Sequence, residues 1–278
     1  MILIADSGST KTDWCVAESG EAVRHIPTAG TNPYFQSAEE IQEVIARELL
    51  PLTADYAITE VVFYGAGIRF EEQRKVIRDI LHRSFKTPVE VDSDLLGAAR
   101  SLCGDKAGIA CILGTGSNSC LYDGRVITEN TPPLGFVLGD EGSGAVLGKH
   151  LVADCLKGQL PKELIDKFMD RFQLTAELLM DRIYKQPFPN RFLASLVMFL
   201  VENIHEEALY QLVHADFTAF FRRNLLQYTG AYSYPVNFTG SVAFYLKDVL
   251  CDVAQAEGFQ MGIIRKAPME GLLIYHNS

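Results

Sequence analysis

IADSGSTKTDWCVA, residues 4 to 17, is the stretch that decides the fold. Ile4 and Ala5 run into Asp6; Ser7, Gly8, Ser9, Thr10, Lys11 and Thr12 follow, and an apolar stretch then resumes. Small hydroxyl residues around a glycine suit a turn that offers amides and hydroxyls to an anion. A carboxylate at the mouth of such a turn repels phosphate unless a divalent cation stands between them. Mg²⁺ keeps most of its waters and is typically held by one or two carboxylates plus phosphates. The stretch therefore reads as a site for a Mg²⁺–nucleoside triphosphate, with Asp6 orienting the hydrated metal. The competing reading makes Asp6 a plain turn former.

The same layout returns a hundred residues later. CILGTGSNSCLYDG (111–124) again runs apolar strand, small-residue turn and returning strand, which suggests an internal duplication. Outward from these two hairpins, strands are expected near 1–5, 12–18, 22–27, 60–64, 88–92, 108–127, 234–239 and 258–265. Helices are expected over 37–50, 69–85, 93–102, through most of 138–229, and over 268–277. Ile41, Val44, Ile45 and Leu49 recur at helical spacing, and Ser37 with Glu40 makes a capping box. Strands alternating with helices, each set led by a meander, indicate two α/β domains of one kind. The polar break CGDKAG places their boundary near 103–107.

Composition excludes several classes. The chain has 278 residues, 48% hydrophobic and 22% charged, with net charge −10 and no basic footprint for nucleic acid or an anionic membrane. Six cysteines show neither C-x-x-C nor zinc spacing and read as buried thiols in a reducing compartment. No apolar run reaches the length of a membrane span, and MILIA is too short for a signal peptide. A cytoplasmic location is expected.

Three glycine-hydroxyl turns follow apolar runs: DSGST (6–10), GTGSN (114–118) and TGSV (239–242). None is a Walker A loop or a dinucleotide fingerprint. Asp94 opens a helix just past a strand, where a carboxylate can accept a proton from a hydroxyl. Asp92 competes for that role, and either Asp92 or Ser93 can cap the helix. Asp140, in LGDEGSG, suits a sugar hydroxyl or a metal-bound water; Glu141 is the alternative there, as a helix-capping acid.

Together these residues resemble the sugar kinase, actin and heat-shock ATPase superfamily. The likeness is to its N-acetylglucosamine kinase branch, which also holds the activator ATPases of benzoyl- and hydroxyacyl-CoA dehydratase systems. DSGSTKT is similar to the first phosphate loop, GTGSN with GDEGS to the second, and TGSV to the adenosine loop. The resemblance implies two ribonuclease-H-like (actin-like ATPase) domains with an active-site cleft between them. It divides the chain into 1–105, joined by the helix 266–278, and 106–265 with a helical insertion.

By that resemblance Asp94 is the catalytic base. Gly8, Ser9, Thr10, Lys11, Gly114, Thr115 and Gly116 attend the phosphates, and Gly240, Ser241 and Tyr245 the adenosine. Asn32, Ser117, Asn118, Gly135 and Asp140 bind the sugar. Where relatives carry Gly-Gly-Trp beside the acetyl group, this chain has Pro132-Pro133-Leu134. The expected activity is transfer of phosphate from ATP, with Mg²⁺, to an amino sugar or hexose, most of all the 6-hydroxyl of N-acetylglucosamine. An activator ATPase driving a partner protein, and a sensor without turnover, stay open as other readings. Sugar and ATP are the expected partners; a homodimer is compatible with the sequence.

Overall fold

The computed structural model describes residues 1–8 and 10–277. In β1 (Ile2–Ser7) the two-residue period of a strand sends Leu3 and Ala5 to one face and Ile4 to the other. Leu3 and Ala5 join a core with Trp14, Phe63, Ile41 and Ile77. Ile4 joins Cys15, Val62, Tyr64, Met269 and Leu272 on the opposite face. A sheet covered on both faces is what near-continuous apolar strands require.

That sheet runs β3-β2-β1-β4-β5, with β2 (Lys11–Glu18), β3 (Glu21–Ala29), β4 (Glu60–Gly65) and β5 (Val89–Ser93). β1, β2 and β3 form an antiparallel meander; β4 and β5 add on parallel to β1. The register sets Asp6 opposite Asp13 on β2 and Tyr64 on β4.

The helix Asp94–Cys103 lies close against β4 because Gly97 has no Cβ; one would overlap the Tyr64 ring. The helix Met269–Tyr275 approaches it through Gly271, with the Ser101 hydroxyl donating to the Pro268 carbonyl at 2.7 Å. These elements form one compact unit: Met1–Lys106, Tyr122–Ile127 and the segment from Ala267 onward.

The other unit comprises Ala107–Leu121 and Thr128–Lys266. Its sheet has the order β10-β9-β6-β7-β8, with β6 (Gly108–Leu113), β7 (Ser117–Tyr122), β8 (Ile127–Glu129), β9 (Val236–Thr239) and β10 (Met261–Arg265). Counted from its own first strand, each sheet reads 3-2-1-4-5, the topological counterpart of the sequence repeat. Helices Gly144–Leu156 and Glu207–Arg223 pack on it through Leu147, Leu151, Val213, Phe217 and Phe220.

Local structure departs from the periodicity in one place of consequence. The expected helix 37–50 breaks into an α-turn, a π-helical turn Ile45–Leu49 and a further α-turn. The Ser37–Glu40 capping box forms as read. The wider π-turn delivers Glu48 to the edge of β3, where it accepts the Ala29 amide at 2.8 Å. Among the described residues no helix is long and apolar enough to cross a membrane.

Candidate active site

In the first unit the turn between β1 and β2 is closed by the Gly8 amide donating to the Lys11 carbonyl at 3.0 Å. The Thr10 carbonyl accepts from Gly30 and the Ser7 carbonyl from Ala66, so the turn's base is tied to two neighbouring segments. Gly8, Thr10 and Lys11 are exposed at its tip; Ser9 lies outside the described residues. Beneath the tip, Ser7, Thr12 and Thr31 are fully buried. Ser7 Oγ lies 2.7 Å from Thr12 Oγ1 and 2.9 Å from Thr31 Oγ1.

Asp6, half-buried at the end of β1, has its pKa raised to about 7. Burial is the main cause, the charges of Asp94 and Asp13 add to it, and Lys11 partly offsets them. The Asp94 pKa is also raised by burial, and is drawn back by its own Leu95 amide at 2.9 Å and by the charge of Arg69. Along the chain Asp94 has no basic neighbour; the fold supplies Arg69. The two acids left open in the sequence separate clearly. Asp92 is ion-paired with Arg74 at 3.2 Å, and the cap is Ser93, whose hydroxyl accepts from Leu96.

Asn32 is buried, its side-chain oxygen accepting the Tyr34 amide at 3.0 Å and its own amide donating to Gln36. Gly67, at φ +78, lies against that side chain, and a Cβ there would overlap the Asn32 carboxamide.

In the second unit the carbonyls of Gly114 and Thr115 accept the Gly144 and Ala145 amides at 2.8 and 3.0 Å. The turn is thus stitched to the start of the helix Gly144–Leu156, whose cap is Ser143, not Glu141. Glu141 instead pairs with Arg223. Gly240, at φ +117, fits closely against the Leu113 carbonyl, which brings the third turn beside the second. Ser241 and Tyr245 are exposed, with Lys266 Nζ 5.0 Å from the Tyr245 ring centre.

Asp140 is a non-glycine residue in the left-handed region, at φ +58. Its carboxylate lies against Gly116; burial pushes its pKa up to about 6, and the nearby Ser117 and Gly135 amides draw it back. Gly116, Ser117, Gly135 and Asp140 are therefore one cluster. Asn118 is turned to other work: its oxygen accepts from Ser119 and from Asn130, each at 3.0 Å.

One buried acid escaped the sequence reading. Asp216, 4% exposed, sits on the helix Glu207–Arg223 and accepts the Gly142 amide at 3.2 Å. Its signal was available: Leu209, Val213, Asp216, Phe217 and Phe220 place an acid on the buried stripe.

Among the described residues no group of three or more His, Cys, Asp or Glu is arranged to hold a metal directly. A cation held by water from a single carboxylate is compatible with that, and the mutually repelling Asp6, Asp13 and Asp94 charges favour one.

No family model and no curated protein matches the chain. Solved structures do. A putative N-acetylglucosamine kinase from Porphyromonas gingivalis is 46% identical, over 100% of this chain and 99% of that one, with a TM-score of 0.97. A putative N-acetylglucosamine kinase from Chromobacterium violaceum shares the fold at 16% identity, covering 99% and 98% of the chains, TM-score 0.77. So does a ROK family glucokinase from Streptomyces griseus, solved with glucose and AMPPNP, at 14% identity over 98% and 97%, TM-score 0.59. The two units are of the actin-like ATPase kind. With nearly half its residues shared over the whole length of the first of these, the chain belongs to the N-acetylglucosamine kinase-like branch of the sugar kinase, heat-shock ATPase and actin superfamily.

Proposed function

We propose that the chain is an ATP-dependent sugar kinase that phosphorylates the 6-hydroxyl of N-acetylglucosamine. The observation that carries this reading is the Asp6–Asp94 pair beside an exposed glycine-hydroxyl turn, with the charge of one acid raising the pKa of the other. A carboxylate made more basic by burial is suited to take a proton from an alcohol. In the proposed reaction the sugar hydroxyl gives its proton to Asp94, its oxygen bonds to the γ-phosphorus, and ADP departs. The Leu95 amide and the charge of Arg69 favour the ionised form of Asp94 against the effect of burial.

Phosphoryl transfer asks the protein mainly for positioning and charge stabilisation. The turns at Gly8–Lys11 and Gly114–Gly116 are the proposed phosphate-binding turns. Gly240, Ser241 and Tyr245 serve the adenosine. Asp6 would hold hydrated Mg²⁺, which when bound neutralises phosphate charge. Asn32, Ser117, Gly135 and Asp140 serve the sugar, with Asn118 a supporting member given its bond to Asn130. The Porphyromonas gingivalis relative, a putative N-acetylglucosamine kinase, supports the sugar assignment.

The test is a panel of N-acetylglucosamine, N-acetylmannosamine, glucosamine and glucose with Mg²⁺–ATP, read as ADP release and by mass of the sugar phosphate. N-acetylglucosamine should yield the 6-phosphate. ATP hydrolysis with no sugar phosphorylated would overturn the proposal in favour of an activator ATPase.

A further inference from the structure

We propose that Asp216 is a positioning residue for Asp140: by accepting the Gly142 amide from behind, it holds the Gly139–Ser143 loop in the conformation that turns the Asp140 carboxylate to Ser117 and Gly135. The inference rests on the reading of Asp140 as a sugar ligand.

The loop is short and conformationally demanding. Asp140 and Gly142 both have positive φ, +58 and +75, a region that costs most non-glycine residues and that aspartate tolerates better than most. Local bonds close part of it: the Asp140 amide donates to Pro133 and the Ser143 amide to the Asp140 carbonyl, at 2.8 and 3.0 Å. Among the described residues the buried Gly142 amide finds its acceptor in the helix Glu207–Arg223, at Asp216 Oδ2. Two more bonds come from the same side: Arg223 pairs with Glu141, and Asn224 Nδ2 lies 3.4 Å from Glu141 Oε2. The helix and its C-cap Asn224 thus hold the two residues after Asp140, while the Asp140 carboxylate lies against Gly116.

A packed stripe gives no reason for an acid at 216. Phe217 and Phe220 flank it in the core, and burial raises the Asp216 pKa to about 7, a penalty an apolar residue would avoid. His150 Nδ1 lies 3.7 Å from Oδ1, and the charges of Glu141 and Lys149 also act on Asp216. A carboxylate there makes sense as the acceptor for an otherwise orphaned backbone amide.

The test compares Asp216→Leu, which keeps the branched outline with added bulk and removes the acceptor, with Asp216→Asn, which keeps an acceptor oxygen. Amide hydrogen exchange of peptides over 139–143 is measured in each full-length variant, together with KM for sugar and for ATP. Asp216→Leu should speed exchange there about tenfold or more, and raise the sugar KM about tenfold with the ATP KM within about threefold. Asp216→Asn should return both readings toward the parent. Should Asp216→Leu not fold, Asp216→Ala takes its place. Parental exchange and parental sugar KM would overturn the inference, as would exchange that rises equally over the helix Lys162–Phe172, the mark of general destabilisation. A parent that phosphorylates no sugar would overturn the kinase reading instead, and the exchange measurement still decides whether Asp216 holds the loop.

Discussion

Ser7 Oγ and Thr12 Oγ1 lie 2.7 Å apart across the first hairpin, and neither residue has any exposed surface. Thr31 completes the cluster, its hydroxyl 2.9 Å and its carbonyl 3.0 Å from the same Ser7 oxygen. Thr31 directly precedes Asn32, so three hydroxyls join the turn expected to bind phosphate to the segment expected to bind sugar.

Thr31→Val keeps the shape of the side chain and removes the hydroxyl, leaving Ser7 short of a partner. The cost should be about 1–3 kcal/mol in denaturant unfolding, and Thr31→Ser should recover most of it. If the cluster links the two ligand segments, Thr31→Val should raise the KM values for ATP and sugar together. A valine variant as stable as the parent would show that the network contributes little.

Asp94→Asn should lower kcat by roughly 10²–10⁴ with nucleotide binding retained, the usual worth of a positioned general base. Asp92→Asn removes the partner of Arg74 and should cost stability more than turnover. Steady-state kinetics on both variants checks the assignment. Loss of turnover in Asp92→Asn with activity retained in Asp94→Asn would exchange their roles.

The Asp6 pKa makes a signed prediction. Its folded value, about 7, lies above the unfolded carboxylate value. Between about pH 4 and pH 7 the folded chain therefore holds the extra proton, and this group's contribution to stability falls as pH rises through that window. Asp6→Asn removes the cost and should be more stable than the parent at pH 8 by on the order of 2 kcal/mol, the gap closing toward pH 4. Mg²⁺ should reverse the balance in the parent. Its addition should raise Tm more at pH 8 than at pH 5.5, because only the ionised carboxylate attracts the cation. An equal Mg²⁺ effect in Asp6→Asn would remove Asp6 from the metal's surroundings.

Much of this architecture was legible because its signals are local. The apolar strand running into Asp6, the strand–turn–strand layout around 114–116 and the Ser37–Glu40 box each lie within a few residues, and each forms as read. What stayed hidden depends on distant partners. Arg74 and Arg69, which set the surroundings of Asp92 and Asp94 apart, come from another segment. Glu141 is no cap, because Arg223 claims it from the far end of a long helix. The π-turn at Ile45–Leu49 keeps the same apolar residues buried as an α-helix would, so periodicity gives no warning of it. Asp216 was visible as an acid on an apolar stripe, but its amide partner lies 74 positions away in sequence.

The sugar preference is the sharpest remaining test, and the segment 132–138 is where it is expected to be set. Leu134 stands at φ +63 with its side chain 62% exposed, and Val137 and Leu138 on the following turn are likewise exposed. Asp140, Ser117 and Gly135 form a polar cluster suited to hydroxyls, while this neighbouring segment is apolar. A sugar lacking a hydroxyl that the polar cluster binds leaves buried groups unpaired, and such losses discriminate by large factors. A changed apolar contact is worth only about 1–3 kcal/mol. With Pro132-Pro133-Leu134 altering the apolar side alone, N-acetylglucosamine should be preferred over glucosamine or glucose by about tenfold to a few hundredfold in kcat/KM. Leu134→Gly, which relieves the left-handed backbone and deletes the side chain, should narrow that preference and leave the rate with glucose within about threefold. Competition kinetics with the three sugars measures both effects. A preference that survives Leu134→Gly undiminished would move acetyl recognition away from this segment and onto the polar cluster.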